Sequence, residues 1–250
     1  MTNFFFEVVL SCGFLINSMP TQEQDFVYMS FNEEQHVLSS QNIREDLFNS
    51  CIDLGLKAIM KDSLDPQLIL VSAFFESGFV KDIVGEASRS ISKEGKVSIK
   101  PLLDKRGDFL YQGRLQTTLI YTCPDLVGVP HRTWKRNHRV QEHHYCDPDL
   151  SGILYFNRLK RKHKKNATAV YCEYKKGHPC TDAEMSLDKS PYLKNRVNKL
   201  RWLKQRVASY KSNKKPLPKE VSDLISTFTF KPLTASYVYI GGMELKIPWL

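Results

Sequence analysis

Four of the six cysteines (Cys123, Cys146, Cys172, Cys180) and six of the seven histidines fall between residues 123 and 180. Thiolates and imidazoles are the donors zinc prefers, and about four of them converging tetrahedrally make a structural site. The set that the spacing offers is Cys146, Cys172, His178 and Cys180, with His143 or His144 able to complete it from the preceding turn. Bound zinc would explain how a segment with little apolar periodicity stays folded. The spacing itself is not a standard signature: no Cys-x-x-Cys occurs, and seven residues separate Cys172 from Cys180. Six cysteines in 250 residues are too sparse for a disulfide scaffold, so intracellular thiols are expected, with Cys12 and Cys51 as small core residues.

The same segment carries cations. Arg158, Lys160, Arg161, Lys162, Lys164 and Lys165 put six positive charges in eight positions, and Arg132, Lys135, Arg136 and Arg139 precede them. Such runs neutralise phosphates, release counterions and match nuclear-import signals. Trp134, Tyr145, Tyr155, Phe156 and Tyr171 are interleaved with the cations, and exposed aromatics stack on unpaired bases. Tyr155 and Phe156 lie in an apolar run, which argues for inward packing instead.

A catalytic reading uses Glu142-His143-His144, Asn157 and His163. Their order is similar to the pattern of His-Asn-His nucleases, in which a His base, an orienting Asn and a metal-binding His surround a β-β-α unit. The interval from Asn157 to His163 is short for that pattern, and Gly152 alone stands for its glycine-rich loop. No phosphate-cradling glycine loop and no Gly-x-Ser-x-Gly elbow occurs.

Overall charge agrees with a polyanionic partner: 36 Lys and Arg oppose 27 acidic residues, for a net +9 and a pI near 9.2. Residues 1–120 carry 11 basic and 16 acidic side chains, whereas residues 131–220 carry 23 and 8. An acidic front and a basic middle describe a molecule with a cationic face. The expectation is a non-enzymatic nucleic-acid-binding protein, nuclear or cytoplasmic. An adaptor for an acidic protein surface is the competing class.

The elements that must position these residues follow from periodicity. Met1 to Pro20 is apolar, but no Lys or Arg precedes the run, Glu7 interrupts it and it is too short to span a bilayer. It reads as a buried strand or helix, neither a secretion signal nor a membrane span. A strand at 26–31 precedes a helix started by Asn42 and Glu45, on which Ile43, Leu47, Cys51, Leu54 and Ala58 repeat. Asp65-Pro66 opens a second helix that Ser77-Gly78 ends. Strands are expected at 97–99, 109–111 and 115–121.

Residues 124–190 read as irregular, with turn starts at Asp147-Pro148-Asp149 and Lys176-Gly177-His178-Pro179. A sequon, Asn166-Ala167-Thr168, lies there. Ser190-Pro191 opens a long helix whose apolar stripe is Leu193, Val197, Leu200, Leu203, Val207 and Tyr210. Its cations include Lys194, Lys199, Arg201 and Lys204, the remaining candidates for contact with nucleic acid. Pro218 opens a short helix, and Gly241-Gly242 joins a final hairpin. The fold expected is α+β, divided into an N-terminal α+β portion (1–123), a basic His/Cys-rich connecting module (124–190) and a helix-hairpin portion (191–250).

Overall fold

The computed structural model describes residues 2–118 apart from 31, 32, 62, 64, 106 and 108, then 122–124, 126, 146–227 apart from 165, 214 and 215, and finally 238–240 and 243–245. Over these residues the chain is α+β: helices combined with small antiparallel sheets.

The apolar N-terminal run is helix α1, Thr2–Asn17. Its inner face (Val8, Val9, Leu10, Cys12, Leu15, Ile16) is buried, so this segment belongs to the core. The strands β1, Phe26–Met29, and β2, Gln35–Leu38, form a hairpin with Phe26 opposite Leu38. Helix α2 spans Ile43–Met60 and α3 spans Pro66–Glu76. The boundary at Asn42 holds without the expected cap, since its side chain caps nothing. Asp65 does cap α3, accepting from the Leu68 amide at 3.2 Å.

Leu68 to Ala73 are buried without interruption, so α3 is enclosed on all sides, packing on α1, on α2 and on the long C-terminal helix. Gly55 allows α1 and α2 to approach closely, because a Cβ there would overlap Val8. Cys12 and Cys51 bridge the same two helices with Cα atoms 5.7 Å apart.

A hairpin of β3, Glu86–Ile91, and β4, Val97–Pro101, follows. The strands expected at 109–111 and 115–121 are absent over the described residues, where only isolated bridges pair Leu103 with Phe109 and Gln112 with Thr117. A buried charge occupies this stretch instead. Arg114 is fully buried, and the chain turns sharply at Gly113 (φ 71°) to carry it inward. A Cβ on Gly113 would meet Pro148 at 2.9 Å. The Arg114 amide, Nε and Nη2 donate to the two carboxylate oxygens of Asp149 at 3.0, 2.8 and 2.6 Å. Nη2 also reaches Asp53 at 2.6 Å, and Nη1 donates to the Ser50 hydroxyl at 3.2 Å and to the Ser50 carbonyl.

The middle of the chain is helical where an irregular segment was expected: α4 is Pro148–Lys162 and α5 is Ala167–Lys176. The turn signal Asp147-Pro148-Asp149 is the start of α4. The Asp147 side chain accepts from the amides of Asp149 and Leu150 at 2.9 and 3.0 Å, and Pro148 occupies the first turn. Ile153, Phe156 and Leu159 form a narrow buried stripe at steps of three, which the surrounding cations conceal. Asn166 caps α5 and Gly177 ends it.

Helix α6, Pro191–Asn213, starts at the expected Ser190, whose hydroxyl accepts from the Leu193 amide at 3.3 Å. Helix α7, Lys219–Thr227, packs on α1. The final hairpin pairs β5, Val238–Ile240, with β6, Met243–Leu245. Among the described residues no helix is long and apolar enough to cross a membrane.

Candidate polyanion-binding surface

Helix α6 divides its cations into two groups. Leu193, Leu200, Leu203 and Val207 dock on the core, and four cations flanking that stripe are drawn into intramolecular contacts. Arg196 is 6% exposed and donates to Glu76 at the end of α3 at 2.6 Å. Its guanidinium lies 3.6 Å from the Tyr192 ring centre and 4.8 Å from that of Phe75. The Tyr192 hydroxyl donates to the same Glu76 oxygen at 3.2 Å, and burial beside that carboxylate pushes the phenol pKa up. Lys199 donates to the Ser18 hydroxyl at 2.7 Å over the rings of Phe74 and Trp202, and burial lowers its pKa. Lys204 pairs with Asp65 at 2.5 Å and Lys211 pairs with Glu7. Lys194, Arg201 and Arg206 remain exposed, with no acidic partner among the described residues.

The run on α4 divides in the same way. Lys160 is 6% exposed and lies 3.3 Å from Asp65. Lys162 donates to both oxygens of Glu173 at 2.7 and 2.8 Å, and the His163 Nε2 approaches that carboxylate at 2.7 Å. Burial works against the Glu173 charge, but the bonds from Lys162 and His163 outweigh it and hold its pKa below the usual glutamate range. Arg158 lies over the Tyr155 ring at 4.9 Å. Arg161 and Lys164 are exposed with no acidic partner among the described residues. Arg132, Lys135, Arg136, Arg139 and Lys165, with Trp134 and Tyr145, lie outside the described residues.

Four of the expected contacts thus stand in solvent without an acidic partner: Arg161, Lys164, Lys194 and Arg201. Two further exposed cations belong with them, Lys175 at the end of α5 and Arg206 on α6. Lys175 also lies 5.3 Å from the Tyr192 ring. The signal for Lys175 was its place in the last turn of a helix that the sequence did not reveal. Two of the aromatics interleaved with the run face inward: Phe156 is 1% exposed and stacks on Tyr174 at 4.3 Å, and Tyr171 is fully buried with its hydroxyl on the Leu68 carbonyl at 3.1 Å.

The zinc expectation is overturned, because the thiols are consumed. Cys123 pairs with Cys146 and Cys172 with Cys180, so together with Cys12–Cys51 the six cysteines form three disulfides. A disulfide sulfur has no thiolate lone pair to offer as a strong ligand. His178 is exposed, its Nδ1 3.0 Å from the Pro179 carbonyl, and no group of three or more His, Cys, Asp or Glu suited to a metal occurs among the described residues. The intracellular assignment falls with the thiols. Three disulfides belong to an oxidising compartment, which is at odds with nucleus or cytosol.

Two residues of the nuclease pattern serve other contacts. Asn157 is buried and donates to the Lys61 carbonyl at 2.9 Å, whereas His163 faces Glu173. Glu142, His143 and His144 lie outside the described residues.

Chemically, the surface left over can hold anionic groups at several separated points; its cations are solvated and long, suited to phosphate, sulfate or carboxylate polymers. Comparison with protein-family models, with curated proteins and with solved structures finds no match for this chain.

Proposed function

We propose that the chain is a nucleic-acid-binding protein of an oxidising compartment that uses its exposed cations to hold phosphates. The observation that carries this reading is the surplus that survives intramolecular pairing. After Arg196, Lys160, Lys162, Lys204 and Lys211 are matched to Glu76, Asp65, Glu173 and Glu7, the residues Arg161, Lys164, Lys175, Lys194, Arg201 and Arg206 still face solvent without an acidic partner among the described residues. Inward packing of Phe156 and Tyr171 removes base stacking by those rings from the reading, so the six exposed cations named above act through phosphate contacts, which carry no sequence information.

Fluorescence anisotropy with labelled duplex and single-stranded oligonucleotides across a salt series tests this. Micromolar affinity is expected, with log K falling against log salt at a slope of about −3 to −5, as several neutralised phosphates require. Arg161→Glu combined with Arg201→Glu should weaken binding at least about tenfold. Equal or tighter binding to an acidic polypeptide of matched length overturns the nucleic-acid reading in favour of an adaptor for acidic proteins.

A further inference from the structure

We propose that Asn166 is an N-glycosylation site, an inference independent of what the cationic surface binds. Asn166-Ala167-Thr168 is the one Asn-x-Ser/Thr triplet in the sequence, and its middle residue is not proline. The disulfides supply the second observation: Cys12–Cys51, Cys123–Cys146 and Cys172–Cys180 point to an oxidising, secreted or extracellular setting, and the lumen of the eukaryotic secretory route is where such chains meet asparagine glycosylation.

Geometry supplies the third. Asn166 is exposed in the short turn between α4 and α5, with an extended backbone (φ −71°, ψ 100°). Its Oδ1 accepts from the Ala169 amide at 3.2 Å and caps α5, while its Nδ2 donates to nothing among the described residues. Glycosylation uses the nitrogen and spares the oxygen. The C1–O bond of a lipid-diphosphate-linked oligosaccharide breaks, the lipid diphosphate leaves with the electron pair, C1 bonds to Nδ2, and one amide proton is lost. The product is still an amide whose oxygen caps the helix, so the folded chain accommodates the sugar without giving up a hydrogen bond.

The experiment is expression of the full chain, targeted to the secretory lumen of a glycosylating eukaryotic cell, with electrophoretic mobility and intact mass read before and after peptide N-glycanase. A single glycoform step that the enzyme removes is expected, with conversion of Asn166 to Asp in the peptide map. Asn166→Gln should abolish the step but also weakens a helix cap. Thr168→Ala keeps the cap and should abolish it equally, whereas Thr168→Ser should retain it. Lumenal protein that carries its three disulfides yet shows no enzyme-sensitive step overturns the proposal, as does a step that persists in Thr168→Ala.

Discussion

Asp149 and Glu173 sit on neighbouring helices, α4 and α5, and each carboxylate is shared by two or more donors in a largely dry place: Asp149 is 4% exposed and Glu173 is 9%. Their partners differ. Arg114 is 0% exposed and reaches Asp149 through its main-chain amide and two guanidinium nitrogens, whereas Lys162 is 46% exposed and approaches Glu173 from solvent. Burial works against the Arg114 charge, yet Asp149 and then Asp53 outweigh it and raise its pKa above the ordinary value. One carboxylate organises the interior and the other ties down a surface. The comparison teaches that burial of the acid alone does not set what breaking an ion pair costs: removing the dry Arg114 guanidinium strands a dry carboxylate, whereas Glu173 without the half-exposed Lys162 still faces His163.

The sharpest way to break that comparison is Arg114→Leu. It leaves Asp149 dry and without its guanidinium, so a loss of about 3 to 5 kcal/mol is expected in urea unfolding. A second change, Asp149→Leu, should recover part of the loss by removing the stranded charge. If Arg114→Leu costs no more than Lys162→Ala, the distinction fails. Next in size is the double change Cys172→Ser with Cys180→Ser. Releasing a loop of this length should cost about 2 to 3 kcal/mol on the chain-entropy estimate, read as a lower denaturant midpoint.

Acid sharpens the comparison from the side of Glu173. Its folded pKa lies below the unfolded value, so its contribution is fully present above the unfolded value, about 4.3, and is lost as pH falls through the folded one. Asp147 behaves alike: burial is outweighed by Lys57 and by the amides it caps, and its pKa is lowered. Asp82, raised by burial, opposes them. Thermal melts should therefore hold steady from neutral pH to about pH 5 and fall below about pH 4, with Glu173→Gln flattening part of the decline. Smallest is Lys204→Ala, which removes an exposed partner of Asp65 that Lys160 also serves; less than about 1 kcal/mol is expected from chemical denaturation.

The helices with clean apolar spacing were legible in the sequence. Helices α2, α3, α6 and α7 lie where Ile43 to Ala58, Asp65-Pro66, Ser190-Pro191 and Pro218 placed them. Helices α4 and α5 were not: the apolar stripe of α4 sits among Lys and Arg, and α5 is only ten residues long and buries Ala169 to Glu173 as one continuous run with no helical period to read. Leu115 to Tyr121 suggested a strand by composition, whereas over 115–118 the chain makes only an isolated bridge, beside the turn at Gly113 that delivers Arg114 to Asp149. Of the candidate surface, the charge run was legible and its division was not. Periodicity places Lys199 and Lys204 on a polar flank, yet only the tertiary arrangement brings Ser18 and Asp65 beneath them. The acidic front and basic middle are, in part, two sides of one set of internal pairs. The cysteines misled for a related reason: Cys12 and Cys51 lie 39 residues apart, and their pairing is visible only once α1 lies along α2.

Helix α1 has a further consequence, for the order in which the chain is made. Phe14 packs edge-on to Trp202 and near Tyr210, Glu7 meets Lys211 across 204 residues of sequence, and α7 covers the same helix later still. At a ribosomal rate of roughly 5 to 20 residues per second, those partners emerge about 10 to 40 seconds after α1 does. Throughout that interval one apolar side of α1 has nothing of its own chain to lie against. Closure of Cys12 onto Cys51 needs only the stretch from α1 through α2, and it would hold those two helices together while the rest of the wall is still being translated. In such an order a covalent latch would close early and a hydrophobic cover would arrive late, and a slow ribosome or a poor oxidant would widen the gap between them.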